Sequence, residues 1–331
     1  VTKLTADTHE ITTGGYYDGT GVTIASTGNQ DDSQYALNIT TTEKVVVAGV
    51  TLTGVRGVQL KYVNRGDFNF TLLNSTVTVS ARGIQTWFNE GQDNKGAKVN
   101  VNNCVFSFSG ISDYDTFVNN NSSVGLILNG VDEAEVNIKG TTIQGFAYSV
   151  QFNYNTNKPM PNCNSTLNVE DSVLKGRAGV YLMKTSTSTV NIKNSTVRGV
   201  NTFKNALGAD NESFGLFVFQ YSHDTVLNIQ DCKLEGYRGP AAQFNQEYVA
   251  DFKIDNETTN NTVNILGNTT MREDIHFTVD SEFFPQSIDD IDGMFKFRVP
   301  ENGNKVNGTF TKSVFAVHQG SNTTEYDWLK K

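Results

Sequence analysis

One short motif constrains this chain more than any other feature. It reads apolar, Asn, apolar, any residue, then Asn, Asp or Gly, then a small polar residue. Full copies are Val136-Asn137-Ile138-Lys139-Gly140-Thr141, Leu167-Asn168-Val169-Glu170-Asp171-Ser172, Val190-Asn191-Ile192-Lys193-Asn194-Ser195 and Leu227-Asn228-Ile229-Gln230-Asp231-Cys232. Counting looser copies, the motif starts at residues 45, 70, 99, 136, 167, 190, 227 and 263, at intervals between 23 and 37 residues. Self-similarity at such a period is the mark of a solenoid, in which each unit buries its apolar face against its neighbours.

Each copy is a short alternating strand followed by a corner and a second strand, such as Thr196-Val197-Arg198-Gly199. The corner holds Gly49, Asn74, Asn103, Gly140, Asp171, Asn194, Asp231 and Gly267. These residue types tolerate a left-handed backbone, so the same bend is expected at every level. A third strand often follows, as in Gly57-Val58-Gln59-Leu60, Gly83-Ile84-Gln85-Thr86 and Gly179-Val180-Tyr181-Leu182. Three strands in a minimum unit near 23 residues predict an all-β fold, a right-handed parallel β-helix of about nine to eleven coils, with insertions leaving at the corners. A β-sandwich also gives short strands, but does not need one corner residue to recur. The expectation is one β-solenoid domain over 1–331. Residues 1–21 form an N-terminal cap, 22–280 the clear coils, and 281–331 irregular last coils and a C-terminal cap that shield the open ends.

Charge narrows the function. Thirty-five acids against 26 bases give a net charge of −9, which argues against a nucleic-acid partner. No apolar run is long enough to span a membrane, and three cysteines make no disulfide framework. Val1 in place of a methionine points to a processed or excised segment.

Aligning the third strands by their inward apolar pairs places two columns outside. One is Gln59, Gln85, Ile127, Gln151, Tyr181 and Phe217; the other is Lys61, Trp87, Asn129, Asn153, Met183 and Phe219. Arginines border this strand: Arg56, Arg82 and Arg238 in comparable places, Arg177 one residue out of step, Arg198 in a preceding strand or corner. Arginine pairs bidentately with carboxylate, and aromatic faces pack on sugar rings. The expected ligand-binding residues are therefore Trp87 and Tyr181 as platforms, with Arg82, Arg177, Arg198 and Arg238 as carboxylate partners for a uronic-acid polymer. No catalytic residue is expected. His9, His223, His276 and His318 fall in unrelated repeats without metal spacing. No cofactor is expected either; acidic pairs such as Asp113 and Asp115 are the places where calcium would be sought.

On its coil pattern and corner ladder, the chain over about residues 20–280 resembles the pectin-lyase-like superfamily of right-handed β-helices. Within that superfamily it looks most like the binding regions of serine-rich-repeat surface adhesins from gut lactobacilli. That resemblance implies a monomeric module of a longer, cell-wall-anchored surface protein. Such a module adheres to acidic pectin-type polysaccharide, to host epithelial or mucin glycans, or to both, without catalysis. A polysaccharide lyase or glycoside hydrolase on uronic-acid polymers is the alternative, and a structural fibre or spacer a third. The Asn-Thr-Asp and Arg-Ile-Lys stretches of polygalacturonases are missing here.

Overall fold

The computed structural model describes residues 1–28, 34–61, 67–86, 94–120, 122–153, 163–203, 212–219, 221–238, 252–254, 258–277, 303–308 and 312–327. It is the expected all-β solenoid, a right-handed parallel β-helix. The repeated motif forms its first sheet, eleven strands in which chain neighbours are spatial neighbours, from Thr2–Lys3 and Gly15–Asp18 to Thr262–Leu266 and Lys305–Gly308. Pairing is in register throughout: Val99 faces Val136, which faces Leu167, then Val190, Leu227 and Val263. Alternation sends these residues inward with Val101, Ile138, Val169, Ile192, Ile229 and Ile265, all buried in one continuous core.

The asparagine between each inward pair points outward and joins a ladder. Asn137, Asn168, Asn191, Asn228 and Asn264 each donate from Nδ2 to Oδ1 of the asparagine one coil before, at 2.9 Å. Asn307 extends it at 3.1 Å, and Asn100 closes it on Thr71 Oγ1 at 3.1 Å. The conserved spacing of the motif is thus a hydrogen-bond requirement as much as a steric one.

The strand ends three residues after each asparagine at the expected corner. Asn74, Asn103, Asp171, Asn194 and Asp231 have φ between 46° and 53°, with Gly49, Gly140 and Gly267 in the same column. A left-handed residue lifts the following N–H out of the ladder, and a small side chain from the next coil accepts it. Thus Thr141 N donates to Ser172 Oγ and Ser172 N to Ser195 Oγ, both at 3.1 Å. Cys104 and Cys232 occupy this same buried column as free thiols, burial raising both, that of Cys104 to about 11.

A second left-handed column, not foreseen from sequence, precedes the last seven first-sheet strands: Gly96, Glu133, Asn164, Thr187, Asp224, Asn260 and Gly303. Here too the next residue is capped from the following coil, as Ala134 N is by Ser165 Oγ at 3.0 Å and Ser165 N by Ser188 Oγ at 3.1 Å.

The second and third strands run on through a bend in Thr51–Leu60 and Thr76–Thr86. At that bend a glycine turns inward: a Cβ on Gly83 would meet the Gly125 carbonyl and the Phe106 ring. The residue before the glycine is left outside. At the far end Lys312–Gln319 pairs in parallel with Thr270–Phe277, and Asn322–Asp327 returns antiparallel along it. An antiparallel return occupies the edge that another coil would use.

Candidate functional site

The register of the third sheet reproduces the expected outer columns. Asn38, Gln59, Gln85, Ile127, Gln151, Tyr181 and Phe217 pair in sequence, as do Asn129, Asn153, Met183 and Phe219. A further outward row lies at the bend, Tyr35, Arg56, Arg82, Val124, Tyr148, Ala178 and Phe214. Along the rod the face changes character, polar and cationic in the first coils and aromatic in the later ones.

The aromatic half is a packed cluster. Tyr181 is stacked between Tyr148, with ring centroids 4.4 Å apart, and Phe217, at 5.0 Å, while Phe214 and Phe219 lie against Phe217. Tyr181 and Phe217 are 6% and 7% exposed, so both faces of the tyrosine ring are already used by protein. Such a cluster stiffens the sheet from outside and leaves Tyr181 little surface for a sugar. Trp87, the other expected platform, lies outside the described residues.

The arginines divide into two groups. Arg238 does not join the row of Arg56 and Arg82. It turns into the coil, 4% exposed, where Nε pairs with Glu273 and Nη1 lies 3.5 Å from Glu212. Burial pushes the Glu273 carboxyl up, more than Arg238 pulls it down. Arg198 stands on the second sheet among three carboxylates, Asp115 at 3.2 Å, Glu235 at 3.1 Å and Asp274 at 3.9 Å. Asp115 comes from a corner insertion that Phe117 anchors against Ala147 and Val200; Lys175, at 2.9 Å, holds its carboxyl low. Both arginines thus already serve internal charge. Arg177 is half-buried and, as the sequence placed it, one residue ahead of the bend row.

Arg56 and Arg82 differ. They are direct register partners on successive coils, half-buried, and no acidic side chain among the described residues pairs with either. Arg56 lies over the Tyr35 ring, 5.5 Å from its centroid, and donates to Tyr35 Oη at 3.0 Å and Gln85 Oε1 at 3.4 Å; Tyr35 Oη donates in turn to Gln85 at 2.7 Å. Among the described residues Arg82 reaches only the Ser122 carbonyl, at 3.4 Å. Desolvation, and then Arg56 beside it, lower the pKa of Arg82, the signature of a cation whose surroundings lack a compensating anion. Beside them Gln59 is fully buried with neither amide atom hydrogen bonded, and Arg56 Nε is equally unmet.

A cavity of about 310 Å³ opens next to this group, lined among the described residues by His9, Glu10, Thr27, Tyr35, Asn38, Thr40 and Lys61. Sequence reasoning named Arg82 as a carboxylate partner and placed Arg56, Gln59 and Lys61 on or beside the same strand without a role; it gave His9 none and passed over Tyr35 and Glu10. Those three precede the first clear copy of the motif, where no alignment of repeats reaches.

Among the described residues no group of three His, Cys, Asp or Glu is placed to hold a metal ion. No helix of the described residues is long and apolar enough to cross a membrane. Comparison with family models, with curated proteins and with solved structures returns no match. The class is therefore defined by architecture: a β-solenoid of the parallel β-helix type, a fold consistent with a carbohydrate-binding surface module.

Proposed function

We propose that this protein is a non-catalytic binding region that holds an acidic, pectin-type polysaccharide against the outer face of the third sheet, in its first coils. One observation carries the reading. In a chain of net charge −9, Arg56 and Arg82 stand side by side on an outer face with no carboxylate partner among the described residues. Like charges on adjacent coils repel, and a carboxylate-bearing ligand supplies what relieves them. Exposed ion pairs contribute about 0–1 kcal/mol each, whereas half-buried, partly desolvated ones contribute more. A polymer that meets both arginines joins such contacts through effective concentration. The resemblance of the coils to bacterial adhesin binding regions supports display on a cell surface as part of a longer protein, with host glycans of similar acidity as a second ligand class.

The test is titration of polygalacturonate and of a neutral galactan into the wild type and into Arg56→Gln and Arg82→Gln. Expected is salt-sensitive binding of the acidic polymer alone, weakened in both variants. Equal binding of the two polymers, or indifference to both substitutions, sinks the proposal. Release of an unsaturated uronate, seen as new ultraviolet absorbance, replaces binding with lyase chemistry.

A further inference from the structure

A cavity lies beside Tyr35 on this face. A polymer lying on a ridged sheet needs no recess, yet this half-open one is lined by seven described residues, six of them polar or charged at their tips and Tyr35 adding an aromatic ring. Its volume of about 310 Å³ is at the small end of ligand sites, room for one ring and not for an extended chain. We propose that the cavity seats a single hexuronate ring, from which the polymer continues across Arg56 and Arg82. The inference rests on the acidic-polysaccharide reading and adds a fixed starting point to it.

The lining matches that ligand group by group. Tyr35 is both a wall of the cavity and the ring under Arg56, so the recess and the paired arginines share one residue. Lys61 supplies a cation within the cavity. Thr27, Thr40 and Asn38 supply hydroxyl and amide partners for ring hydroxyls. His9 Nδ1 sits 2.9 Å from the Ala36 carbonyl, which can only accept; Nδ1 therefore carries a proton and neutral His9 keeps Nε2 as an acceptor. Glu10 is the one acid among the described lining residues, engaged by the Thr40 hydroxyl at 3.3 Å. Its charge turns a ligand carboxylate away and towards Lys61 and Arg56, giving the ring one orientation.

Spacing supports the continuation. Tyr35, Arg56 and Arg82 stand on successive coils, roughly 4.8 Å apart. A pyranose unit advances a chain by a comparable distance, so carboxylates of the following residues come level with the two guanidinium groups.

Calorimetric titration with trigalacturonate separates this inference from the broader one. The wild type is expected to bind the trimer. Lys61→Met should weaken it on the order of tenfold by removing a charge-assisted contact, and Glu10→Gln should strengthen it by roughly threefold by removing a repulsion. Both substitutions are at the cavity wall and keep side-chain size, and unchanged melting curves show that the coils are intact. Should Lys61→Met and Glu10→Gln bind the trimer like the wild type while Arg56→Gln loses it, the cavity is not a subsite and the function proposed above stands. Binding of polygalacturonate without binding of the trimer overturns the cavity alone in the same way. Failure of the wild type to bind either acidic ligand overturns both.

Discussion

At the scale of single residues, the corners explain why so few side-chain types recur. Asn194 has φ 46° and its amide donates to Asp171 Oδ1 at 2.6 Å, so the residue meets a backbone demand and a neighbour together. Asn194→Val should cost about 1–2 kcal/mol in denaturant unfolding, because a β-branched residue resists the left-handed region. A neutral result would falsify the strained-corner account. Gly140 and Gly267 follow Asn103 and Asp231 in the column, and a Cβ on either would run into the side chain below. Glycine at those levels is thus dictated by the coil before it, as well as by φ. The corner was legible because only a few residue types accept that geometry. The second left-handed column was not, since Glu133 and Thr187 carry no such signal and the coil holds them there. A constant offset of four residues before each ladder asparagine was nonetheless available. Arg238 marks another limit. Its place before a glycine matches Arg56 and Arg82, but which way the chain turns there depends on Glu273, 35 residues on. Arg238→Ala should cost about 3–5 kcal/mol by removing the cation that faces the buried Glu273 carboxyl. Unfolding midpoints compared with Arg82→Ala, which should change little, check this.

At the scale of elements, the first sheet is stabilised on both faces by periodic contacts, aliphatic within and amide without. Asn191 lies mid-ladder, donating to Asn168 and accepting from Asn228. Among the described residues Asn307 makes only the bond to Asn264, and it is exposed. Asn191→Leu should therefore lower stability by about 1–3 kcal/mol, and Asn307→Leu by well under half of that, in matched urea titrations. Equal losses would mean that the amides contribute as isolated surface groups. The same geometry accounts for the Asn-Ser-Thr triplets at 74–76, 164–166 and 194–196: a left-handed residue, a buried hydroxyl cap, then a strand residue. The third sheet was legible as a register but not as an environment. Alternation showed which residues face out; it carried no information about Tyr148, Tyr181 and Phe217 closing on one another.

At the scale of the whole molecule, a buried carboxyl and a half-buried imidazole near the last coils oppose each other as pH falls. Burial raises Glu273 to about 7, so between about pH 7 and its ordinary value of 4.5 the folded state takes up a proton that the unfolded state does not. Stability from this group therefore increases with acid. Burial, and then the charge of His318, lower His276 to about 4 from 6.5, although Asp274 pulls the other way. Between those values the unfolded state is the one that binds the proton, and stability from His276 decreases with acid. His276 is stacked on His318 at 4.2 Å and beside Tyr237 at 4.7 Å, within the same end of the rod. The two effects cross nearly the same window with opposite sign. Unfolding measured at pH 7, 5.5 and 4.5 should show stability rising with acid in His276→Asn and falling in Glu273→Gln, with the wild type between them. Parallel profiles would remove one or both groups from the account. Asp274 and Asp115, held low by their cationic partners, come into play only below this range. The asparagine ladder has a consequence for the molecule entire. Every amide from Asn100 to Asn307 donates towards the N-terminal neighbour, so their dipoles, about 3.5 D each for a peptide-like unit, point the same way and add. One side of the rod therefore has an electrical direction, positive towards its first coils, the end at which Arg56 and Arg82 stand.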